Sequence, residues 1–370
     1  MEIARLCDSG LTGDRLLAEV ATRLREVVPF DGCFISSTDP DTLMCTHHAL
    51  ADGLPPWVCG PFFHNEFLDS DFNKFADLAR MPAGVRTLGE ATGGHLERSA
   101  RYVDINATLG FGHEARIAFT VGDRTWAIGN LLREKGSSDF TEAERQFLAV
   151  VSEDIARGMR TAVLGEREPE AVDPDGLPSG PGVVVFDAEG RLISATDEAA
   201  ACLRSIDPRT PTAGAATPFG FPLPLAASML VARARAHAVG RGAPPASVRL
   251  RTRNGAGLRL QAACTRTPDG TPGGTALTIA PAAAAELAPT VVGTYDLSRR
   301  EQAVTAYLTR GFAPADIAAR LGLAADAVDL DMRSVLHKTG SANRGQLTSR
   351  IFTDHYYPAH NAGCRPFVAA

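Results

Sequence analysis

The chain has 370 residues, which is too many for one hydrophobic core, so we expect two or three domains. Hydrophobic residues make up 45% and charged residues 22%, as is ordinary for a globular protein. The formal net charge is −6, no apolar run reaches membrane-spanning length, and the start lacks a signal-peptide pattern, so we expect a cytoplasmic protein with no membrane contact.

The seven cysteines are odd in number and form no C-x-x-C pair, which argues against a disulfide framework or a zinc finger. The histidine spacings match no metal-ligand pattern, and His113-Glu114 lacks a second histidine four residues later. We also find no G-x-S-x-G, no P-loop and no H-E-x-x-H. The sequence therefore predicts no enzyme and no metal site, and it indicates no cofactor.

The first 164 residues combine helices with antiparallel strands. A helix is predicted over residues 11–28 and a closing helix over 141–164, which Thr141 and Glu144 begin as a capping box. Strands are predicted over residues 33–37, 44–49, 115–121 and 126–132. Between the strands, residues 55–80 hold six aromatic side chains that either line a pocket or form a core between sheet and helix.

This arrangement resembles the GAF sensor domain, and the segments CDSGL, VVPFD, ATGG and DFTEAERQFL are similar to the N-terminal domains of actinobacterial LuxR-type regulators. The resemblance implies a small-molecule pocket on one face of the sheet and dimerisation through the outer helices. The candidate ligand-binding residues are Phe34, Ser36, His47, Trp57, Phe62, Phe63 and Phe67.

A second α+β region follows a linker over residues 165–182 that is rich in proline, glycine and acidic residues. Its predicted strands are 183–187, 192–194, 248–253, 258–264 and 275–279, with helices over 197–203 and 223–239 and a hairpin turn at Asn254-Gly255. The opening resembles a PAS domain, with Asp197 where that family usually has asparagine. The predicted domain covers residues 183–280, and a second linker covers 281–293.

Four short helices are predicted near the C-terminus. Ser298 and Glu301 form a capping box, Gly311 ends that helix, and Pro314 begins the next one. After a tight turn at Gly322, a third helix runs over residues 326–338, and Ser341 is expected to cap a fourth that ends near 351. Two short helices joined by a glycine turn are typical of a helix-turn-helix, whose second helix enters the major groove of DNA.

This segment resembles the four-helix DNA-binding domain of LuxR-type transcriptional regulators. The matching residues are Leu297, Ser298, Arg300, Glu301, Val304, Gly311, Ile317, Ala318, Leu321, Val328, Lys338, Gly340, Asn343, Arg344 and Leu347. The resemblance implies a domain over residues 294–352 that binds double-stranded DNA, followed by a tail over 353–370. From residue 294 to 351 there are eight basic and six acidic residues, so the charge has the sign that DNA binding needs.

The third helix of this domain is the predicted reading helix. With Val328, Met332, Val335 and Leu336 buried, the helical period turns a different set outward, and two flanking basic residues match family positions. The predicted DNA-binding residues are Asp329, Leu330, Arg333, Ser334, His337, Lys338, Asn343 and Arg344. Arg333 is the one able to make a bidentate contact with guanine, and Arg344 and Lys338 are expected on phosphates.

The segment also departs from the family pattern. Asp329 and Asp331 replace a basic or amide residue and a histidine, and Ala313 and Ala324 replace the usual Ser or Thr helix caps. An aspartate that faces DNA is repelled by phosphates. Two interpretations follow: a DNA-binding regulator controlled by a signal, or a protein-interaction regulator whose DNA binding is weak. A haem or redox sensor is a less favoured third.

We therefore expect a multidomain α+β protein in which GAF-like and PAS-like antiparallel-sheet sensor domains precede an all-α, four-helix, helix-turn-helix domain. The expected partners are double-stranded DNA, an unknown small-molecule effector and a second copy of the chain. The homodimer is motivated by the apolar stripe on helix 141–164 and by the two half-sites that helix-turn-helix proteins usually span.

Overall fold

The structure is a computed structural model that describes residues 2–40, 42–165, 178, 180–207, 210, 212, 217–242, 247–253, 257–282, 295 and 297–351. The chain divides into two compact units: the first holds two β-sheets and ends at Pro281, and the second holds the C-terminal helices. The prediction of an α+β chain with two antiparallel sheets followed by a helical domain is confirmed. Among the described residues, every helix is too short or too polar to span a lipid bilayer.

The first sheet has five antiparallel strands in the order β2-β1-β5-β4-β3. The strands are β1 Gly32–Thr38, β2 Cys45–Asp52, β3 Val85–Thr87, β4 Phe111–Val121 and β5 Arg124–Glu134. Helices α1 Glu2–Cys7 and α2 Gly13–Val27 precede it, and α6 Glu142–Gly165 closes it. The predicted capping box forms, because Thr141 and Glu144 each bond the backbone N–H of the other.

One face of this sheet packs against α2 and α6. Leu148, Val151, Ile155 and Met159 lie in that core beside Ile35 and Ile117 of the strands. These α6 residues form the stripe from which a dimer interface was expected. That motivation is wrong, because the stripe is buried inside its own chain.

The other face is covered by the segment between β2 and β4. It contains α3 Cys59–Leu68, α4 Phe75–Leu78, α5 Leu88–Thr92 and short helical turns at Pro56–Val58, Leu96–Arg98, Tyr102–Asn106 and Ala107–Leu109. Of the six aromatic residues predicted here, Phe62, Phe63 and Phe75 are buried, whereas Trp57 is 56% exposed. The core interpretation therefore holds for Phe62, Phe63 and Phe75, and the partly buried Phe67 packs against the same core.

The second sheet repeats the strand order of the first, as β7-β6-β10-β9-β8. Its elements are β6 Gly182–Phe186, β7 Leu192–Ala195, α7 Asp197–Ser205, α8 Leu225–Ala238, β8 Ser247–Arg251, β9 Gly257–Arg266 and β10 Pro272–Pro281. Thr196 caps α7 by accepting a hydrogen bond from the backbone of Ala199. The predicted turn at Asn254-Gly255 and most of both linkers lie outside the described residues.

Helix α8 joins the two sheets into one unit because it packs against α3. The Met229 thioether accepts a hydrogen bond from the backbone N–H of Cys45 at 3.3 Å. Arg233 donates to the Thr42 carbonyl at 3.1 Å. A single hydrophobic core runs from Phe62 of α3 to Leu230 of α8 and on into the second sheet.

The described residues of the second unit form four helices: α9 Arg299–Thr309, α10 Pro314–Leu321, α11 Ala325–Lys338 and α12 Arg344–Ile351. Its buried core residues are Leu297, Val304, Leu308, Ile317, Ala318, Val328, Val335 and Leu347. Gly322 ends α10 with φ +66°, a conformation that glycine adopts without strain.

One predicted cap in this unit is wrong. Ser341 is buried and bonded to Thr339, whereas the Asn343 side chain accepts the hydrogen bond from the backbone N–H of Gln346 and so caps α12. The predicted capping box of α9 is confirmed by reciprocal bonds between Ser298 and Glu301. The tail beyond Ile351 lies outside the described residues.

Candidate nucleic-acid interface and ligand cavity

Helices α10 and α11 form a helix-turn-helix in which Ile317, Val328 and Val335 hold the inner faces together. The opposite face of α11 exposes Asp329, Leu330, Arg333 and His337, with Leu330 64% exposed. An exposed leucine on the second helix of such a motif is placed to contact an apolar base edge, such as a thymine methyl. The predicted outward face is therefore present for these four residues.

Arg333 has the least restrained cationic side chain on this face. In the described part of the chain, neither Arg333 nor Asp329 forms a side-chain hydrogen bond or an ion pair. The sequence allowed a pair between them one helical turn apart, and that pair is not formed. The guanidinium therefore has all its donors available for a base edge or a phosphate.

Asp331 has a different role from the one its position in the family pattern suggested. It is only 5% exposed and receives two hydrogen bonds from Arg300, at 2.7 and 2.8 Å. This bidentate pair ties α9 to α11 and neutralises the Asp331 charge inside the domain. Only Asp329 of the two aspartates faces outward.

Glu301 joins the start of α9 to the end of α11. Its carboxylate accepts from the Ser298 backbone at 2.6 Å and from Lys338 Nζ at 2.8 Å, and the Ser334 hydroxyl also bonds to it. Burial opposes the carboxylate charge, but these bonds outweigh burial and hold the pKa of Glu301 below its usual value. Ser334 and Lys338, both predicted to contact DNA, are therefore held by an internal carboxylate.

The other two predicted contacts lie at the start of α12. Arg344 donates to the Leu308 carbonyl at 3.1 Å, and a neutral carbonyl leaves its positive charge intact. Asn343 caps the helix through its side-chain oxygen. As the sequence indicated, Ala313 and Ala324 provide no side-chain cap for α10 and α11.

A separate cavity of about 150 Å³ lies in the first unit. It is lined by residues from β1, β2, the segment after β2, α3 and the region that holds the second sheet. They are Phe34, Ala49, Ala51, Leu54, Pro55, Pro56, Val58, Cys59, Phe62, Phe63, Thr212 and Leu225. The cavity is therefore built by both sheet-containing regions.

The structure brings together three of the seven predicted ligand residues, Phe34, Phe62 and Phe63. The other placements differ from the prediction. Ser36 is buried and bonded to backbone carbonyls of Ser37 and His48, and Trp57 is exposed. Phe67 packs below Arg233 of α8, with the guanidinium 5.9 Å from its ring centre. The His47 side chain lies outside the described residues.

Sequence reasoning missed the remaining lining residues. Alternation along β2 could have indicated Ala49 and Ala51, which share a face of the strand. Leu225 and Thr212 come from a region some 150 residues later in the chain. No local pattern connects those two positions with α3.

A buried ionic cluster lies beside the cavity on the same side of the first sheet. Arg101 and Glu114 are both fully buried and meet at 2.7 Å, and Arg116 meets Glu66 at 2.8 Å. Burial alone would raise the pKa of Glu114, but the charge and hydrogen bonds of Arg101 outweigh burial and lower it. Arg116 lies 5.2 Å from the ring centre of Phe62, so the cluster supports a wall of the cavity.

Lys74 lies at the edge of this cluster and donates to the backbone carbonyl of Asn65. Burial lowers the pKa of its ammonium to about 8; Glu66 opposes this shift, whereas Arg101 and Arg116 add to it. No local sequence pattern indicates this cluster, because its members are spread over some fifty residues.

The described residues contain no group of three or more His, Cys, Asp or Glu side chains placed to hold a metal ion. The cysteines among them are all free thiols, and burial raises the pKa of Cys59 at the cavity wall.

Comparison with known proteins places the C-terminal helices in a family. Residues 296–351 match the family model described as bacterial regulatory proteins, luxR family. This segment is a LuxR-type helix-turn-helix domain, and DNA is the partner that such a domain implies. A search of curated proteins found no match to the chain.

Two solved structures are similar to parts of the chain. The phage VqmA–DPO complex is 22% identical over 31% of this chain and 55% of its own length, with a TM-score of 0.17. The Vibrio cholerae VqmA dimer, a LuxR-type receptor determined in the absence of its target DNA, is 17% identical over 49% of this chain and 85% of its own, with a TM-score of 0.22.

Proposed function

We propose that this chain is a sequence-specific DNA-binding regulator whose helix-turn-helix is controlled by a signal received in its first unit. The single observation that carries the DNA-reading part is Arg333, an exposed cation without a side-chain partner among the described residues, on the second helix of the motif. Arginine on that face is the side chain most often used to bind guanine through two hydrogen bonds.

The proposed DNA-facing surface consists of Asp329, Leu330, Arg333 and His337, with Arg344 on a flanking phosphate. Lys338 and Ser334 bond to the Glu301 carboxylate within the domain, so fewer cations are available to bind phosphates. With Asp329 in the same surface, the intrinsic affinity for DNA is expected to be weak.

This weakness is also the basis of the second candidate, a protein-interaction regulator with little DNA binding. The observation that favours it is the outward Asp329 beside Leu330, which is 64% exposed, since a carboxylate next to an apolar side chain suits a protein surface better than a phosphate backbone. A regulator of this kind would bind a protein through α11.

For the first unit we propose a GAF-like domain over residues 1–164 and a PAS-like domain over 183–280. Antiparallel sheets with inserted helices and the cavity beside α3 support these assignments. The signal is a small molecule. We keep 294–352 as the proposed extent of the DNA-binding domain.

We propose a homodimer because helix-turn-helix proteins usually bind two half-sites of DNA. The apolar stripe of α6 does not support this proposal, because it is buried within its own chain. Light scattering at micromolar concentration, with and without DNA, tests this. A monomer under both conditions would contradict it.

The test of the DNA-binding function is selection of duplexes from a random pool by the full chain. The wild type is expected to enrich one motif, and Arg333→Ala is expected to enrich none. Arg80→Ala is the charge-matched control, because Arg80 is 77% exposed in the first unit. Failure of the wild type to enrich any sequence would favour the protein-interaction candidate.

A further inference from the structure

The cavity beside α3 has a chemistry that selects its occupant. Its lining consists of apolar side chains, with two polar groups, the Cys59 thiol and the Thr212 hydroxyl. No charged side chain is among the described residues that line it. A charged ligand would lose its hydration without gaining a partner, and that loss is large.

The size of the cavity limits the occupant to about one ring. Its volume is about 150 Å³. An apolar cavity of about that volume in another protein stays dry and binds benzene. A six-membered ring with one or two small substituents therefore fits, whereas a two-ring or long-chain molecule does not.

The walls favour an aromatic ring. Phe34 and Phe62 have ring centres 6.1 Å apart and are tilted by 59°, and Phe62 and Phe63 meet edge to face at 5.7 Å. Rings in these orientations offer both faces and edges to a third ring, which adds to the energy of burial. The sulfur of Cys59 can also lie against a ring edge.

The wall is held in place before any ligand arrives. Arg116 lies against Phe62 and is fixed by Glu66 at 2.8 Å and by the Asn73 carbonyl at 3.0 Å. Ala51 and Pro56 at the rim are exposed, so the cavity has an entrance from solvent. A preformed apolar site with an entrance needs little ordering on binding.

We infer that this cavity binds a small uncharged aromatic molecule, and that the bound ring fastens α3 to the start of α8. The inference rests on the proposed function, since it names the chemical class of the signal. Leu225 is the first residue of α8 and Cys59 the first of α3, so a ring between them contacts both sheet-containing regions at once.

The test uses phenol as the probe and the full chain in isothermal titration calorimetry. Wild type is expected to bind phenol saturably, in the micromolar to millimolar range allowed for so small a ligand. Benzoate, the charged counterpart, is expected to bind at least roughly tenfold more weakly. No saturable binding of phenol, or equal binding of benzoate, would overturn the inference.

Two variants locate the site. Ala49→Leu and Ala51→Leu add bulk at the wall and at the exposed rim, and each is expected to weaken phenol binding by at least roughly tenfold. Because Ala51 is exposed, Ala51→Leu disturbs folding less than Ala49→Leu does. The fluorescence of buried Trp126 shows whether each variant is folded. Trp57→Ala is the control, because exposed Trp57 lies outside the lining. Unchanged phenol binding in both leucine variants would overturn the assignment.

DNA titrations with and without phenol separate this inference from the proposed function. If phenol binds in the cavity and the affinity for DNA does not change, the ligand site is supported, but the proposal that a signal controls DNA binding is contradicted. If the chain does not bind phenol but its DNA affinity responds to another molecule, the aromatic class of the ligand is wrong and the proposed control by a signal is retained.

Discussion

Asp329 is the residue whose effect on DNA binding the structure isolates most clearly. Asp331 is neutralised by Arg300, whereas Asp329 is exposed and without a side-chain partner among the described residues. A charge about 4 Å from a phosphate in water interacts by about 1 kcal/mol, or roughly fivefold in affinity.

We therefore predict that Asp329→Gln tightens binding to all duplexes by roughly fivefold. Fluorescence anisotropy at one salt concentration measures it. Asp77→Asn, a change at an exposed aspartate of the first unit, is the control. If Asp329→Gln weakens binding to the selected motif alone, the aspartate reads a base and the repulsion argument is wrong.

We expect Arg344 and Lys338 to contribute differently to the salt dependence of DNA binding. Arg344 keeps its charge beside a neutral carbonyl, whereas Lys338 is paired with Glu301. Arg344→Ala is predicted to lower the salt slope of DNA binding by about one unit, and Lys338→Ala to leave the slope unchanged while lowering the thermal stability of the second unit. Equal loss of slope in both variants would show that Lys338 leaves Glu301 to bind phosphate.

At the scale of elements, the fully buried pair of Arg101 and Glu114 fixes the segment after α5 to β4. Removing one partner of such a pair leaves an uncompensated charge inside the protein. Glu114→Gln is predicted to lower the free energy of unfolding by about 3–5 kcal/mol. Both tryptophans, Trp57 and Trp126, lie in the first unit, so their fluorescence in urea reports this loss.

A double variant distinguishes an unpaired charge from lost packing. Arg101→Met combined with Glu114→Leu is predicted to recover part of the stability, because neither charge of this pair remains, although Asp71 loses the Arg101 guanidinium that lies 3.9 Å from it. Glu153→Gln is the control, since its pair with Arg157 is exposed. A Glu114→Gln variant as stable as this control would contradict the account.

Lys74 predicts a pH dependence in the same cluster. Its folded pKa is about 8 against 10.5 for the free group, so between these pH values the unfolded chain binds more protons. The stability of wild type relative to Lys74→Met is therefore predicted to rise as pH increases from about 8 to 10.5. Urea unfolding of both proteins across that range measures it. A constant or falling difference would show that Lys74 is solvated.

At the scale of the molecule, local patterns predicted the helices and strands well. The capping boxes at Thr141 and Ser298 and the glycine turn at Gly322 formed as expected, because each depends on residues only a few positions apart. The Ser341 cap failed because Asn343 offers a competing side chain two residues later.

The sites were harder to predict than the elements. The outward face of α11 follows from its helical period, but the pairing of Asp331 with Arg300 and of Lys338 with Glu301, more than thirty residues earlier, does not. The cavity needed Leu225 from another region. Contacts between distant segments carry no linear signal, which is why pattern reasoning found only part of each site.

We propose that α11 reads DNA sequence through Arg333. The most direct measurement is the ratio of dissociation constants for the selected duplex and a scrambled duplex, at one salt concentration, for wild type and Arg333→Ala. We expect a clear preference for the selected duplex in wild type and its loss in the variant, with about 1–3 kcal/mol of discrimination removed. An Arg333→Ala protein that keeps the wild-type ratio would show that Arg333 does not read the DNA sequence.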